Sequence, residues 1–231
     1  MPAISNQREE NDMAEKIHKY ASDTITVRYD AKRCIHAAEC VRGLPSVFDT
    51  TERRWVQPEN ATADEVATIV MRCPSGALHF ERKDDGASEA IPSANVIRAR
   101  SNGPLYVHGD LRITSPEGNV TLQDTRVALC RCGASQNKPF CDNSHLRIAF
   151  HETATWTHEV AAADDNVAAP QRLNLTPLKN APLKFEGAME IRNAKSEPVF
   201  RGNEASLCRC GASQNKPFCD GSHTRAGFRD S

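Results

Sequence analysis

Apolar and polar residues alternate along two matched stretches of the chain. Leu105, Val107, Gly109, Leu111 and Ile113 are separated by Tyr106, His108, Asp110 and Arg112. At an offset of 78 residues, Leu183, Phe185, Gly187, Met189 and Ile191 are separated by Lys184, Glu186, Ala188 and Glu190. A period of two predicts half-buried β-strands. The same offset sets Gly103-Pro104-Leu105 on Ala181-Pro182-Leu183 and Phe150 on Phe228 without a gap. The chain therefore carries an internal duplication, roughly 95–150 against 173–228. Units this small cannot each close a good core alone. They are expected to pack on each other about a pseudo-twofold axis, as a β-rich domain.

Upstream, residues 24–83 predict a small α/β unit. Thr24 to Tyr29 (TITVRY) alternates and is β-branched, as a strand is. Thr62-Ala63-Asp64-Glu65 has the form of a capping box. Val66, Ile69, Val70 and Cys73 then recur on one helical face, which ends at Pro74. Residues Ala77 to Arg82 predict a second strand. Residues 1–23 form a polar tail, with a frayed helix over Glu9 to Tyr20 as one option. Residues 84–94 and 151–172 have linker composition, although Trp156 predicts that part of the second one packs. The expected fold class is α+β, with a small α/β domain followed by the duplicated one.

Formal net charge over the 231 residues is −1, which gives no electrostatic case for nucleic acid or an anionic membrane. No run approaches the length of a membrane helix, and the N-terminal segment lacks the apolar core of a secretory signal. Nine cysteines are an odd count for a disulfide scaffold. Reduced thiols in a cytoplasmic protein are expected, and clustered thiols there are more often metal ligands.

The phrase LCRCGASQNKPFCD stands at Leu129 to Asp142 and again, unchanged, at Leu207 to Asp220. Each copy supplies three thiols and, with three residues between it and the last of them, a histidine: Cys130, Cys132, Cys141 and His145, then Cys208, Cys210, Cys219 and His223. Structural zinc takes such a set too, but its cysteine pairs are usually spaced more widely. One intervening residue, Arg131 or Arg209, suits two thiolates on one iron of a 2Fe–2S cluster, with the later cysteine and histidine on the other iron. The phrase CRCGASQNKPFCD(N/G)SH resembles the CDGSH iron–sulfur domain family. The resemblance covers both repeats and implies one 2Fe–2S cluster on each four-residue set, in a tandem single-chain arrangement without a membrane anchor. Gly221 keeps the family's third motif letter and Asn143 departs from it. Either the backbone there takes positive φ, where asparagine is next best to glycine, or a helix opens at Asp142 with little room beside the cluster.

Cys34, Cys40 and Cys73 remain. A ferredoxin cluster is held by C-x2-C-x2-C and a distant Cys-Pro. Cys34 and Cys40 keep the outer spacing, Cys73-Pro74 supplies the distant thiol, and Ala37 stands where the middle cysteine would be. CIHAAEC and CPSGAL resemble the divergent single-cluster bacterial ferredoxins over about residues 24–83. Three thiolates suit 3Fe–4S; 4Fe–4S remains open if His36, water or another donor takes the fourth corner.

Three clusters on one chain, with no dinucleotide fingerprint, phosphate loop or nucleophile–base pair, predict a non-enzymatic electron carrier. The expected partners are a reductase and an acceptor protein, and the expected state is a monomer with an internal pseudo-dimer. The alternatives are donation of clusters to apoproteins and redox or iron sensing.

Overall fold

Three antiparallel strands form the sheet of the first unit. They are β1 (Ile17–Ala21), β2 (Ile25–Asp30) and β3 (Leu78–Arg82), with β2 in the centre. The computed structural model describes residues 17–157 and 172–230, which fall into two units, Met1–Ala90 and Ile91–Ser231. Strand β1 corrects the helical option for the tail over Ile17 to Tyr20; the earlier part of that option lies outside the described residues. The reason it escaped the pattern is physical. Only Tyr20 of β1 is even partly buried, so this edge strand is held by main-chain pairing to β2 and shows no apolar alternation.

Helix α1 (Glu39–Gly43) lies against helix α2 (Ala63–Val70), which packs on β3. The capping box forms: the Glu65 amide donates to the Thr62 hydroxyl, and the Thr62 amide donates to the Glu65 carboxylate at 2.9 Å. Val66, Ile69 and Val70 turn inward and pack with Ile25, Val27, Val47, Phe48 and Leu78. The helix ends before Cys73, which sits on the turn beyond it.

The second unit is built from six strands: β4 (Val96–Ala99), β5 (Leu105–Thr114), β6 (Val120–Leu129), β7 (Leu173–Pro177), β8 (Leu183–Arg192) and β9 (Pro198–Leu207). Strands β5–β6 and β8–β9 are antiparallel hairpins. The short leading strand of each repeat joins both hairpins. Strand β4 pairs antiparallel with β5 and parallel with β8, while β7 pairs antiparallel with β8 and parallel with β5. The pairings β4–β5–β7–β8–β4 thus close a ring, a small barrel in which neither repeat completes its sheet without the other. The registers repeat at the same offset: Val96 faces His108 and Asn174 faces Glu186.

The alternation sorts as the pattern predicts. Leu105, Val107, Leu111 and Ile113 are buried with Leu183, Phe185, Met189 and Ile191, and the intervening side chains are not. Glu152 to Trp156, inside the expected linker, belong to this unit: Ala154 is fully buried and its carbonyl accepts from the Ala194 amide at 2.8 Å. Phe185 is fully buried where both hairpins meet. Phe185→Ala is expected to cost about 3–5 kcal/mol, read as a lower urea midpoint.

Candidate metal centres

Each cysteine phrase begins where a hairpin ends. Strand β6 stops at Leu129, and the chain turns back so that the Cys130 amide donates to the Pro139 carbonyl at 2.9 Å and the Cys141 amide to the Ala128 carbonyl at 2.9 Å. The second copy repeats this with Cys208 on Pro217 at 2.9 Å and Cys219 on Ser206 at 2.8 Å. Phe140 and Phe218 pack against the barrel core. The two short helices α3 (Ser144–Arg147) and α4 (Ser222–Arg225) then bring each histidine back over its last cysteine.

The donors come together in pairs. Cys130 Sγ and Cys132 Sγ are 3.7 Å apart, and Cys208 Sγ and Cys210 Sγ 3.6 Å. Cys141 Sγ and His145 Nδ1 are 3.5 Å apart, and Cys219 Sγ and His223 Nδ1 3.3 Å. Two ligands at about 2.0–2.3 Å from one tetrahedral metal would be spaced about 3.5–3.8 Å, so each pair fits the bite of one metal ion. Among the described residues no three such donors gather around a single ion. Two bidentate pairs per repeat fit a two-iron cluster, whereas one structural zinc would draw all four donors to a point. In both repeats Nδ1 is the histidine nitrogen on the sulfur side.

Local electrostatics favour thiolate at Cys130 and oppose it at Cys132, which is raised by its hydrogen bond with Cys130 and then by burial. The Cys130 thiol is pulled down to about 6, first by its hydrogen bond with Cys132 and then by main-chain amides, against burial. Burial pushes Cys141 and Cys210 up to about 11, so there the metal itself must displace the proton. Amide donors offset part of that cost: Asn143 to Cys141 Sγ at 3.4 Å and Ala212 to Cys210 Sγ at 3.5 Å. Burial, and then the Arg131 charge, lower the pKa of His145, which favours the neutral ring a metal needs.

Asn143 and Gly221 take the same left-handed backbone, φ 67° and φ 81°. That is the first of the two reasons considered for the glycine letter. A Cβ at Gly221 would meet no protein atom within 4 Å. Asp142 and Asp220 lie one residue before the helix cap. Their carboxylates accept from the amides of Ser144 and Ser222 at 2.9 Å and from those of Gln136 and Gln214 at 2.8 and 2.9 Å.

Glycine is required elsewhere in the phrase. Gly133 and Gly211 both have φ 82°. A Cβ on Gly133 would lie 2.8 Å from the Cys210 carbonyl oxygen, and one on Gly211 3.1 Å from that of Cys132. The two Cys-x-Cys-Gly turns therefore touch through their backbones, which brings the two candidate centres close to each other. Gly133→Ala is expected to destabilise by about 1–3 kcal/mol and to lower iron content at both sites, read by calorimetry and iron assay.

Sequence reasoning treated Arg131 and Arg209 as spacers, and they are anchors. Arg131 is buried; its Nε donates to the Gly103 carbonyl at 2.6 Å, its Nη2 to the Arg100 carbonyl at 2.5 Å, and its Nη1 pairs with Glu152. Arg209 does the same with Ala181 at 2.6 Å, with Leu178, and with Asp230 at 2.5 Å. Each guanidinium also lies over a phenylalanine, Phe150 at 5.3 Å and Phe228 at 5.0 Å. Each Cys-x-Cys turn is thereby fixed to the loop that opens its repeat's hairpin.

In the first unit, Cys34, Cys40 and Cys73 line one cavity of about 350 Å³, together with His36, Ala37 and Tyr29. Cys34 follows β2 and a 3-10 turn, Cys40 lies on α1, and Cys73 follows α2. Buried Arg33 donates to the Ser75 carbonyl at 2.8 Å, tying the first thiol's segment to the third's. His36 and Ala38 are left-handed, φ 51° and 63°, so the C-x5-C loop bends around the cavity with Ala37 in its wall. The volume and the three thiols fit a group larger than one metal ion. Burial raises the Cys40 thiol pKa, and burial followed by a hydrogen bond with Cys34 raises the Tyr29 hydroxyl.

Comparison with known proteins agrees with this division. A family model described as "Iron-binding zinc finger CDGSH type" matches residues 102–146 and again 180–224, and one described as "Divergent 4Fe-4S mono-cluster" matches residues 20–83. The chain belongs to the tandem CDGSH iron-binding proteins, with a divergent 4Fe-4S mono-cluster domain at its N-terminus. Two relatives, both named "Uncharacterized protein YjdI", come from Escherichia coli K12 and Escherichia coli O157:H7. Each is 31% identical over 64 residues, spanning 28% of this chain and 84% of the relative. No solved structure matches the chain. This tandem CDGSH protein is an iron–sulfur protein, and among its described residues no helix is long and apolar enough to cross a membrane.

Proposed function

We propose that the protein passes single electrons between a reductase and an acceptor protein. Cys130, Cys132, Cys141 and His145 hold one 2Fe–2S cluster, and Cys208, Cys210, Cys219 and His223 hold the other. Cys34, Cys40 and Cys73 hold a third cluster with three thiolates. The observation that carries the reading is the close approach of Gly133 to Cys210, mirrored by Gly211 and Cys132, which supports two centres neighbouring each other in one barrel. A relay uses such adjacency, and a lone binding site has no need of it. The clusters supply the redox chemistry, while the protein supplies ligands, amide donors and docking faces. The test is repeated reduction by dithionite and reoxidation under anaerobic conditions. Retained iron with reversible spectra supports electron transfer.

A second reading, cluster donation to apoproteins, is favoured by the greater exposure of His223 compared with His145. A ligand reachable from outside can be displaced by an incoming one. Iron passing to an apo-ferredoxin, with loss of the donor's own spectrum, would select that reading.

A further inference from the structure

The two repeats share one cysteine phrase and diverge just beyond its histidine. After His145 come Leu146, Arg147 and Ile148; after His223 come Thr224, Arg225 and Ala226. Leu146 is 70% exposed and Ile148 51% exposed, among the few large apolar side chains that the described residues leave in solvent. Between them Arg147 is exposed, donates to the Ser144 hydroxyl at 2.6 Å, and has no carboxylate within ion-pair distance among the described residues. The nearby acid, Asp142, is engaged by the amides of Gln136 and Ser144. The strip beside His145 is thus apolar, with an uncommitted positive charge. The equivalent strip beside His223 keeps the arginine and has lost both large apolar side chains.

We propose that the Leu146–Arg147–Ile148 strip is the docking surface for a protein partner with a small apolar centre ringed by carboxylates, and that partners engage site 1 rather than site 2. This rests on the electron-transfer reading for its purpose, although the surface itself does not. A second copy of the chain fits poorly, because a twofold contact would set Arg147 against its own copy. An acidic partner neutralises that charge and covers both aliphatic chains, which is how a small transient interface gains affinity and orientation together. Docking there places the partner over α3, directly beside His145, the buried histidine of site 1.

The probe is an acidic plant-type 2Fe–2S ferredoxin, titrated in its oxidised form into the oxidised, cluster-loaded full chain at low ionic strength and followed by calorimetry. One ferredoxin should bind per chain, weakening as salt rises. The L146T/I148A double substitution, which rewrites repeat 1 as repeat 2, should weaken binding roughly tenfold or more. The reciprocal T224L/A226I substitution should add a second site to the otherwise unchanged chain. Iron content and visible spectra of each variant confirm that the clusters are intact. Absence of binding, or binding unchanged by L146T/I148A, overturns the proposal. So does adsorption to phosphatidylglycerol vesicles that depends on Leu146 and Ile148 while ferredoxin binding does not. If ferredoxin docks as described but stopped-flow mixing passes no electron, the docking surface stands and the electron-transfer reading falls. Electron transfer insensitive to L146T/I148A gives the converse.

Discussion

His145→Cys and His223→Cys are each expected to lower the reduction potential of one 2Fe–2S site by on the order of 100 mV or more, leaving the other nearly unchanged. The change replaces a neutral imidazole by a thiolate and so adds one negative charge to the ligand set. Adding an electron to a more negative centre costs more Coulomb work, and in a site this buried the charge is poorly screened. Centres with two histidines and two cysteines lie at about −150 to +300 mV, against about −400 mV for four cysteines, and one histidine belongs between these limits. The geometry accommodates the swap, because Nδ1 lies 3.5 Å and 3.3 Å from the sulfur of Cys141 and Cys219, close to a sulfur–sulfur bite. Voltammetry on the two single variants reads it directly. Potentials that stay put in both variants would show that these histidines are not ligands.

The offset between the repeats makes much of this site legible in the sequence. It puts β4 on β7, β5 on β8, β6 on β9 and α3 on α4. Period-two alternation says which side chains face the core, and those residues are the buried ones. It does not say which strand edges pair. That β4 and β7 each join both hairpins depends on main-chain groups that every residue carries. Strand β1 was missed for the same reason: its side chains face solvent and leave no apolar signal.

The buried arginines were missed for another reason. A charged residue between two cysteines looks like a solvated spacer until its acid is found. A signal was present: the offset carried two residues past Phe228 sets Glu152 on Asp230, the two carboxylates that pair with Arg131 and Arg209. The contact of Gly133 with Cys210 had no such signal, since a glycine's close neighbour is visible only in three dimensions. In the first unit the thiols were legible from their spacing. The role of Arg33, which bridges to Ser75 over a long sequence separation, was not.

The largest spectroscopic change is expected from Ala37→Cys. Cys34, Cys40 and Cys73 offer three thiolates to one cavity, and Ala37 lies in its wall where a four-cysteine ferredoxin has its middle ligand. A four-iron cluster held by three thiolates leaves one iron without a protein sulfur. In air that corner is lost first, leaving three irons and the paramagnetic signal of an oxidised 3Fe–4S cluster. A thiol at position 37 closes the corner. The added sulfur has space, since the cavity measures about 350 Å³, and the loop already bends around it at His36 and Ala38. The air-exposed native protein is therefore expected to show a strong electron paramagnetic resonance signal before reduction, and Ala37→Cys is expected to abolish it while raising the iron count of this site from about three to about four. Oxidised 2Fe–2S clusters are silent in that measurement, so the barrel does not obscure the result. The opposing case is a native protein that is silent in air and retains four irons. A side chain would then already hold the fourth corner, and His36, which lines the same cavity, is the one to replace next. His36→Ala would in that case produce the signal that the native protein lacked.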